Sequence, residues 1–450
     1  MVQVTRRKCL NYGLCSLLIF FFSCIVYPEK PPNWIVKKPN ILLIVLDTTR
    51  GDHLSSYGYS RRTSPNLDKL ANESVIYTRA LANSNSTLPS HASLFTGKFP
   101  YSHGAKFDPK GPVSLYDVLT AQEKFKLIRT GLLAENEKTL AELLKKAGYI
   151  TGAIVAGPWL KKVFGLQKGF DFYDDENIST TRGRRARNVS AQALKWLKKN
   201  HEKTFFLFLN YFDPHSPYTA PKKFSAAFSS SLGEKPTNAE KMNAYYDGEI
   251  LYMDHYIGRV LDFLKVLNVY DDTWIIVTAD HGELLGEHGM VRHGKSLYQE
   301  EVYIPLLMKY PKGEVRPYRS DMPIQLIDIL PTICKRLNIT IPEGIQGMAS
   351  SSIDHPIIAE AYTMNYTTRA IFIGNYKFIW KSNGEHMLFN LKDDPSENNN
   401  LIKQDVGHAK SLKDDLINYL SDLPNPGRVG TVQKVDKDTQ EALKSLGYIE

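Results

Sequence analysis

The sequence predicts an α/β fold in which helices sandwich a large, mostly parallel sheet, with a small antiparallel-sheet subdomain at the C-terminus. Two uninterrupted apolar runs, "NILLIVL" and "TWIIVTA", lead into acidic residues, as central strands that are buried on both faces do. The first run ends at Asp47, and the second ends at Asp280 and His281. Helix and strand patterns alternate between the two runs, which favours parallel strands joined by helical crossovers.

Two helix–strand pairs illustrate this alternation. "TLAELLKKAGY" has the pattern of an amphipathic helix with Gly148 near its end, and the strand pattern "ITGAIVAG" follows it. "AQALKWLKKN" is a second helix pattern, and it precedes the strand pattern "TFFLFLNYFD". Ligands in sheets of this kind collect at the carboxyl ends of the strands, so we expect Asp47, Asp280, His281 and the segment "YFDPH" to share one edge.

The sequence pattern changes near Ser350. "HPIIAEAY", "TTRAIFIGNYKFIWKS" and "HMLFNLK" are short alternating runs separated by Gly and Asn turns, which indicates an antiparallel sheet. Helical patterns follow at "HAKSLKDDLINYLSDL" and "DTQEALKSLGY". We therefore expect a catalytic domain over residues 39–350 and an α+β subdomain over residues 351–450.

The first 38 residues have the layout of an export signal. Arg6, Arg7 and Lys8 precede the apolar run "LCSLLIFFFSCIV", and "YPEKPPNW" follows as an extended linker. The run is close to the lower limit of about 17–25 residues for a membrane-spanning helix. It is either an uncleaved anchor or a signal that is cut before Cys24 and lipidated. Either case predicts an exported protein that is anchored to the membrane at the cell envelope.

Charge and cysteine content exclude several classes of site. Lys and Arg number 56 against 48 Asp and Glu, a net charge of +8 that fits an anionic substrate or membrane surface and does not indicate nucleic acid. The basic run "RGRRAR" is read as a solvated helix start, with a phosphate-binding patch as the alternative. Of four cysteines, Cys334 alone lies outside the N-terminal segment, which excludes an intradomain disulfide, a thiolate metal site and a catalytic cysteine.

The residues at the strand ends suit a divalent cation. Two carboxylates, Asp47 and Asp280, and one imidazole, His281, are expected to converge there. The imidazole favours Mn, Zn or Fe, whereas an all-oxygen set suits Ca or Mg. A single strand-end Asp is more often a helix cap, and a single His more often forms an ordinary hydrogen bond. The combination with a candidate nucleophile favours one metal ion, with Mn, Zn, Mg and Ca as candidates.

The segment "STLPSH" supplies that candidate nucleophile. A helix that begins at Pro89 leaves Thr87 at its N-terminus, where backbone N–H groups and the helix dipole favour anions. Capping of the helix is the simpler role for an isolated threonine. A neutral hydroxyl needs a base or a metal ion to become a nucleophile. The predicted cation could activate Thr87, which would then also be a metal ligand, and could polarise the anion under attack.

Three further polar residues complete the candidate set. His215 in "FDPHSPY" follows a strand and could protonate a leaving oxygen, or else it stiffens a Pro-flanked loop. His293 and Lys295 in "VRHGKSLYQ" could hold the oxygens of the anion, or else they are solvated loop residues. Other residues of "DHGELLGEHG" are expected to shape that loop: Glu283, Glu287 and His288.

Five segments in this order resemble the sulfatase branch of the alkaline phosphatase superfamily: "ILLIVLDTTRGDHLSSYGY", "TSPNLDKLA", "TLPSHASLFTG", "TADHGELLGEHG" and "DDPSENNNL". The resemblance implies a large α/β domain, a small four-stranded C-terminal domain and a one-metal site that hydrolyses or transfers sulfate or phosphate esters. By motif position it implies metal ligation by Asp47, Asp280 and His281. It also implies that Thr87 is the nucleophile, that His215 is the leaving-group histidine and that Lys295 binds the anion.

The sequence departs from the family pattern at the nucleophile. Sulfatases carry Cys or Ser in a C/S-x-P-S-R motif, which is oxidised to formylglycine, whereas Thr87 and His91 occupy the first and last positions here. A threonine cannot form that aldehyde, because its β-carbon bears a methyl group. His91 is therefore included among the catalytic candidates. Thr48 replaces the usual acidic neighbour of Asp47, and His281 replaces the usual Asn.

These departures resemble the phosphate-handling relatives. Phosphoethanolamine transferases and lipoteichoic acid synthases use a threonine, and an Asp–His pair is common among phosphodiesterases. We therefore expect a membrane-anchored metalloenzyme that acts on a phosphate ester of an envelope lipid or glycan, by hydrolysis or transfer, through a covalent intermediate on Thr87. The alternatives are a true sulfuric ester hydrolase and a catalytically inactive member that only binds anions.

Overall fold

The computed structural model describes residues 38–114, 118, 128–178, 180–350, 356–363, 365–421 and 423. Most of its strands belong to one large sheet or to a smaller four-stranded sheet. In chain order these strands are β1 (Asn40–Leu46), β2 (Val75–Leu81), β3 (Val113–Ser114), β4 (Arg129–Thr130), β5 (Ile150–Ile154), β6 (Phe172–Asp174), β7 (Phe205–Tyr211), β8 (Thr273–Ala279), β9 (Leu284–Leu285), β10 (Val291–Arg292), β11 (Tyr303–Lys309), β12 (Tyr318–Ser320), β13 (Ile324–Gln325), β14 (Ile357–Tyr362), β15 (Thr367–Ile373), β16 (Tyr376–Lys381) and β17 (Met387–Asn390).

The α-helices of the described residues lie between these strands or follow them. They are α1 (Pro65–Ala71), α2 (Thr87–Thr96), α3 (Pro100–His103), α4 (Leu140–Lys146), α5 (Ala186–Asn200), α6 (Lys222–Ser229), α7 (Asn238–Val266), α8 (Gln299–Val302), α9 (Ile329–Arg336) and α10 (Val406–Ser421). Capping boxes begin two of them. Thr139 and Glu142 cap α4, and Thr237 and Glu240 cap α7, so that each pair satisfies N–H groups at the helix start.

The large sheet has the order β12-β2-β11-β8-β1-β7-β5-β6, with β13 also paired to β2. Of these nine described strands, β11 runs antiparallel to both of its neighbours, and the other pairings are parallel. The prediction of a large, mostly parallel sheet is therefore confirmed. Each apolar side chain of β1 is fully buried, and burial of one such side chain contributes about 1.5–3 kcal/mol.

The four-stranded C-terminal sheet runs β14-β15-β16-β17 and is antiparallel throughout. One face of this sheet packs on α10, where Ile358, Ile371 and Phe378 share an apolar cluster with Leu412 and Leu416. This confirms the predicted small antiparallel sheet and the first of the two predicted C-terminal helices. The proposed domain boundary at residue 350 stays a prediction.

Several predictions fall on residues that the structure does not describe. The export signal, the lipidation site at Cys24 and the last predicted helix, "DTQEALKSLGY", lie outside the described residues. Within the described ranges, no helix combines the length and the apolar character needed to cross a bilayer.

Candidate active site

The adjacent strands β1 and β8 bring the predicted metal ligands together. Leu46 of β1 pairs in parallel with Ala279 of β8, so the residues that follow the two strands emerge side by side. These are Asp47 after β1, and Asp280 and His281 after β8, and all three are buried. The edge predicted from the apolar runs is therefore the edge at which these side chains meet.

Backbone hydrogen bonds orient Asp280. Its Oδ1 accepts from the backbone N–H of Thr48 at 3.1 Å and from that of His281 at 2.9 Å. Thr48 adopts the left-handed region with a φ of 51°, which is uncommon for a β-branched residue. The turn after β1 therefore holds a strained backbone in a position that aims an N–H group at Asp280.

His281 presents its Nε2 atom to the same space. Its Nδ1–H donates to the carbonyl oxygen of Gly282 at 2.9 Å, which leaves Nε2 with a free lone pair in the neutral ring. A backbone partner of this kind sets the tautomer of a metal-binding histidine. The ring is thus prepared to offer Nε2 as a ligand.

The donor set fits a divalent cation. Ligand atoms of Asp47, Asp280 and His281 all lie within 4.8 Å of one another, among the residues that the structure describes. Oδ1 of Asp47 and Oδ2 of Asp280 are buried and have no hydrogen-bond partner in that part of the chain. Burial raises the pKa of Asp47 well above its ordinary value, and the charges of Asp280 and Glu283 raise it further. Buried carboxylates without a countercharge are costly, and a bound cation would remove that cost.

Thr87 stands beside this group. The helix that was expected to begin at Pro89 begins at Thr87 instead, with Ser86 as its extended N-cap residue. The side chain of Thr87 does not cap the helix. Its Oγ1 lies 3.5 Å from Oδ2 of Asp47 and 3.4 Å from Nε2 of His281. The residue is 3% exposed, so the hydroxyl lies in the site and not at the surface.

His91 lies one helical turn after Thr87 and behind the site. Its Nδ1–H donates to the carbonyl oxygen of Thr87 at 2.8 Å and lies 3.5 Å from Oδ2 of Asp280. The ring meets Phe95 and Phe208 edge-on, and burial lowers its pKa. These contacts make His91 a support for the start of α2, and its predicted catalytic role stays a prediction.

Two further histidines line the site. The ring centroids of His293 and His281 are 4.5 Å apart, and those of His293 and His215 are 5.0 Å apart. His215 stacks on Phe212, and its Nδ1–H donates to the carbonyl oxygen of Ser216 at 2.7 Å. Burial, with a contribution from His293, lowers the pKa of His215 to about 4. Burial and the proximity of His281 lower the pKa of His293 well below its ordinary value. Burial therefore favours the neutral form of both rings.

Lys295 differs from the other candidates. It is exposed, and its side chain forms no hydrogen bond or ion pair with any part of the chain that the structure describes. Its backbone N–H donates to Oε1 of Glu301 at 3.4 Å. The anion-binding role of Lys295 therefore stays a prediction without a supporting contact.

The sequence predicted no more than a loop-shaping role for Glu283. This fully buried residue accepts from the hydroxyl of Tyr218 at 2.9 Å, and its other oxygen lies 3.3 Å from Nδ1 of His293. It therefore orients a histidine of the site. Its position three residues after Asp280 is a local signal, but nothing in the sequence pairs it with Tyr218.

Glu287 does shape its loop, as predicted. Its carboxylate pairs with Arg50 at 2.6 Å, and the same Arg50 also binds Asp52 through two hydrogen bonds. His288 stacks on Tyr298 with centroids 3.8 Å apart.

Known proteins with this fold include sulfatases and a phosphonate hydrolase. The chain is 24% identical to "Uncharacterized sulfatase YidJ" of Escherichia coli over 87% of this chain and 89% of that protein. A protein solved in complex with its substrate, D-glucosamine-2-N,6-O-disulfate, superposes with a TM-score of 0.72 at 18% identity, covering 86% of this chain and 98% of that one. The phosphonate monoester hydrolase of Agrobacterium radiobacter superposes with a TM-score of 0.69 at 19% identity, covering 85% and 95%.

Two family models also match. The model of the N-sulphoglucosamine sulphohydrolase C-terminal region matches residues 286–425, which include the four-stranded sheet. The sulfatase model matches residues 39–339, about two thirds of the sequence and the whole of the site described above. The chain therefore belongs to the sulfatase family, whose members are ester hydrolases.

Proposed function

We propose that this sulfatase-family protein is a metal-dependent hydrolase or transferase that acts on phosphate esters through a covalent intermediate on Thr87. The observation that carries the proposal is the position of the Thr87 hydroxyl, 3.5 Å from Asp47 and 3.4 Å from His281. A hydroxyl that served as a helix cap would bond to the backbone of its own helix, and this one does not.

The residues at the strand ends would hold one divalent ion, with Mn, Zn, Mg and Ca as candidates. Such an ion acts as a Lewis acid on an ester oxygen and favours the ionised form of a nearby hydroxyl. The proposed ligands are Asp47, Asp280, His281 and the nucleophile Thr87 itself. Asp280 keeps its orientation through the N–H groups of Thr48 and His281, so the ligand set needs little rearrangement on binding.

The start of α2 suits an anionic substrate. Thr87 is the first residue of a ten-residue helix, whose dipole places partial positive charge at this end. Ser86 makes no side-chain capping bond, Pro89 has no N–H, and the N–H of Ser90 donates to the carbonyl oxygen of Ser86. We therefore assign the N–H groups of Thr87 and Leu88 to an ester oxygen. In the first step, Thr87 loses its hydroxyl proton to water, and the bond from Oγ1 to the central phosphorus forms while the bond from phosphorus to the leaving oxygen breaks.

The leaving oxygen needs a proton, and we assign its donor to His215, with His293 beside it. Burial favours the neutral form of both rings in the free protein. An anionic ester next to them favours the protonated imidazole, because an opposite charge stabilises the charged form. Water or an acceptor alcohol then attacks the phosphorus of the threonine ester and releases Thr87, which makes the same intermediate compatible with hydrolysis and with transfer.

Hydrolysis of a sulfate ester is the second candidate, because relatives named as sulfatases match over most of the chain. A threonine argues against it. Formylglycine hydrate releases sulfate by returning to the aldehyde, and a threonine ester has no such exit.

The natural substrate is proposed to be an envelope lipid or glycan, reached by a protein that is exported and held at the membrane through residues 1–38. A net charge of +8 suits an anionic ester and gives no reason to propose nucleic acid.

The test is a comparison of esters on the purified full chain. Aryl phosphate, aryl phosphodiester and aryl sulfate are assayed with Mn, Zn, Mg or Ca added in turn. Rapid quenching and peptide mass spectrometry then locate any adduct. Turnover of a phosphate ester with phosphorylation of Thr87 would support the proposal. Turnover of aryl sulfate alone would favour the second candidate, and metal binding without turnover of any ester would favour an inactive anion-binding member.

A further inference from the structure

A fully buried carboxylate, that of Glu301 in α8, organises the loop that carries His293 and Lys295. Oε1 of Glu301 accepts from the backbone N–H of Gly294 at 2.7 Å, and Oε2 accepts from the backbone N–H of Ser296 at 3.0 Å. The hydroxyl of Ser296 also donates to Oε2. The N–H of Lys295 adds a longer contact to Oε1 at 3.4 Å. One carboxylate therefore binds three successive residues of this loop.

The same carboxylate reaches the segment that precedes Thr87. Nδ2 of Asn85 donates to the carbonyl oxygen of Ser296 at 2.6 Å and to Oε1 of Glu301 at 3.3 Å. Asn85 is 1% exposed, and its own Oδ1 accepts from the hydroxyl of Ser86. The 294–296 loop and the start of α2 are thus joined through a shared set of hydrogen bonds.

A third segment meets Glu301 through its backbone. The carbonyl oxygen of Glu301 accepts from the N–H of Gly282 at 2.8 Å, directly after His281. A side chain at position 282 would stand 2.1 Å from the carbonyl oxygen of Glu300, so this close approach requires glycine. Glu301 therefore contacts the three stretches that supply Thr87, His281 and His293.

The environment of Glu301 is not that of an ordinary structural ion pair. Across the described ranges, no lysine or arginine forms an ion pair with it, and its partners are neutral N–H and O–H groups. Five donors converge on the two oxygens of this one carboxyl group, and together they fix the direction of each donor. Such an arrangement specifies the shape of a loop more sharply than apolar packing would.

We propose that Glu301 is a positioning residue that sets the placement of the His293–Lys295 loop relative to Thr87. The kinetic part of this inference depends on the activity proposed above, and the structural part does not. The backbone N–H groups of Gly294, Lys295 and Ser296 donate to Glu301. Asn85 and the hydroxyl of Tyr366 bind carbonyl oxygens of the same loop, so the carboxylate is the acceptor for its N–H groups.

Hydrogen exchange and kinetics on the full chain test the proposal, with Glu301→Gln as the variant and the neighbouring Glu300→Gln as the matched control. Glutamine keeps the size of the side chain but replaces one acceptor oxygen by a donor that faces N–H groups. We expect the amides of residues 294–296 to exchange at least about tenfold faster in Glu301→Gln and to be unchanged in Glu300→Gln. We also expect kcat to fall by about 10²-fold with little change in KM, because a misplacement of about 1 Å has an effect of that size.

Equal exchange at residues 294–296 in both variants and in the unaltered protein would overturn the inference. If Glu301→Gln does not fold, Asn85→Ala removes the other end of the same hydrogen-bond set, and it should also accelerate exchange at residues 294–296. Normal exchange there in Asn85→Ala would equally overturn it. An unaltered protein that turns over no ester would refute the proposed function, while the exchange measurements would still decide the role of Glu301.

Discussion

Oγ1 of Thr87 lies 3.4 Å from Nε2 of His281, although 194 positions separate the two residues along the chain. That Nε2 carries a lone pair, because Nδ1 of the same ring donates to the carbonyl oxygen of Gly282. The hydroxyl at the start of α2 and the ligand set at the ends of β1 and β8 therefore form one site.

The nucleophile assignment predicts different outcomes for two substitutions of Thr87. Thr87→Ala should reduce kcat for an aryl phosphate by at least about 10³-fold, since loss of an attacking group has effects of this order or larger. Thr87→Ser keeps the oxygen and should retain a measurable part of the activity. Steady-state kinetics checks both.

Ser86→Ala is the matched control for the nucleophile. Ser86 is the adjacent hydroxyl, and it contacts Asn85 without taking part in the ligand set. Its removal should leave kcat within a few-fold of the unaltered protein. A fully active Thr87→Ala protein would contradict the assignment.

Metal binding should stabilise the protein. The carboxylates of Asp47 and Asp280 are buried next to each other, and a cation that binds the folded state alone adds about 2.7 kcal/mol at 100 times its Kd. Differential scanning fluorimetry of chelator-treated protein, with each candidate ion added in turn, measures the rise in Tm.

Asp280→Asn should raise the Tm of the metal-free protein and abolish the rise in Tm that metal causes. The amide oxygen can still accept from Thr48 and His281, and loss of one negative charge relieves the repulsion on Asp47. The metal-free variant should therefore melt at a higher temperature than the unaltered protein, whereas added metal should no longer raise its Tm. Asp271→Asn, at an exposed ion pair, is the control and should respond to metal normally. A metal response that survives in Asp280→Asn would exclude this residue as a ligand.

The ion pair between Lys377 and Glu397 should dominate the stability of the C-terminal sheet. Nζ of Lys377 lies 2.7 Å from Glu397, and both side chains are fully buried. Lys377→Met leaves an uncompensated buried carboxylate and should lower the free energy of unfolding by about 3–5 kcal/mol. The double variant Lys377→Met/Glu397→Leu should recover much of that loss, and denaturant titration measures both.

An exposed pair provides the comparison for this prediction. Lys312→Met breaks the surface pair with Asp271 and should leave the denaturation midpoint unchanged. A double variant no more stable than Lys377→Met would show that loss of packing, and not an unpaired charge, causes the effect.

His103 should make the fold sensitive to acid. Its Nδ1 accepts from the N–H of Ala105, its Nε2 lies 3.0 Å from the hydroxyl of Ser93, and burial lowers its pKa to about 3. The unfolded chain binds a proton at this residue below about pH 6.5, and the folded chain does not, so stability is lost as the pH falls from about 6.5 towards 3. The loss reaches about 2 kcal/mol at pH 5.

His103→Gln should therefore reduce the slope of stability against pH between 6.5 and 5, whatever it does to stability at neutral pH. His201→Gln, at a surface histidine on the end of α5, should keep the slope of the unaltered protein. Identical slopes in the two variants would rule out His103 as the acid-sensitive group. Urea titrations at a series of pH values provide the measurement.

Local patterns were enough to predict the parts of the site that lie directly after buried strands. Asp47, Asp280 and His281 follow uninterrupted apolar runs, and parallel strands in one sheet end at one edge. The start of α2 was predicted two residues late, because Pro89 is accepted within the first turn as well as at its first position, and Ser86 and Thr87 are both suitable N-cap residues. The antiparallel direction of β11 was not predicted, since an apolar strand reads the same in either direction.

Apolar periodicity and helix-start signals are local properties of the chain, so they could be read as buried strands that end in carboxylates and an imidazole, and as a hydroxyl at the start of a helix. Which polar side chains meet depends on the folded arrangement of distant segments. Glu283 with Tyr218, and Glu301 with Asn85, are pairs whose members lie 65 and 216 positions apart. A buried carboxylate must find donors, but the strand order and loop paths select those donors, and no local pattern encodes that selection.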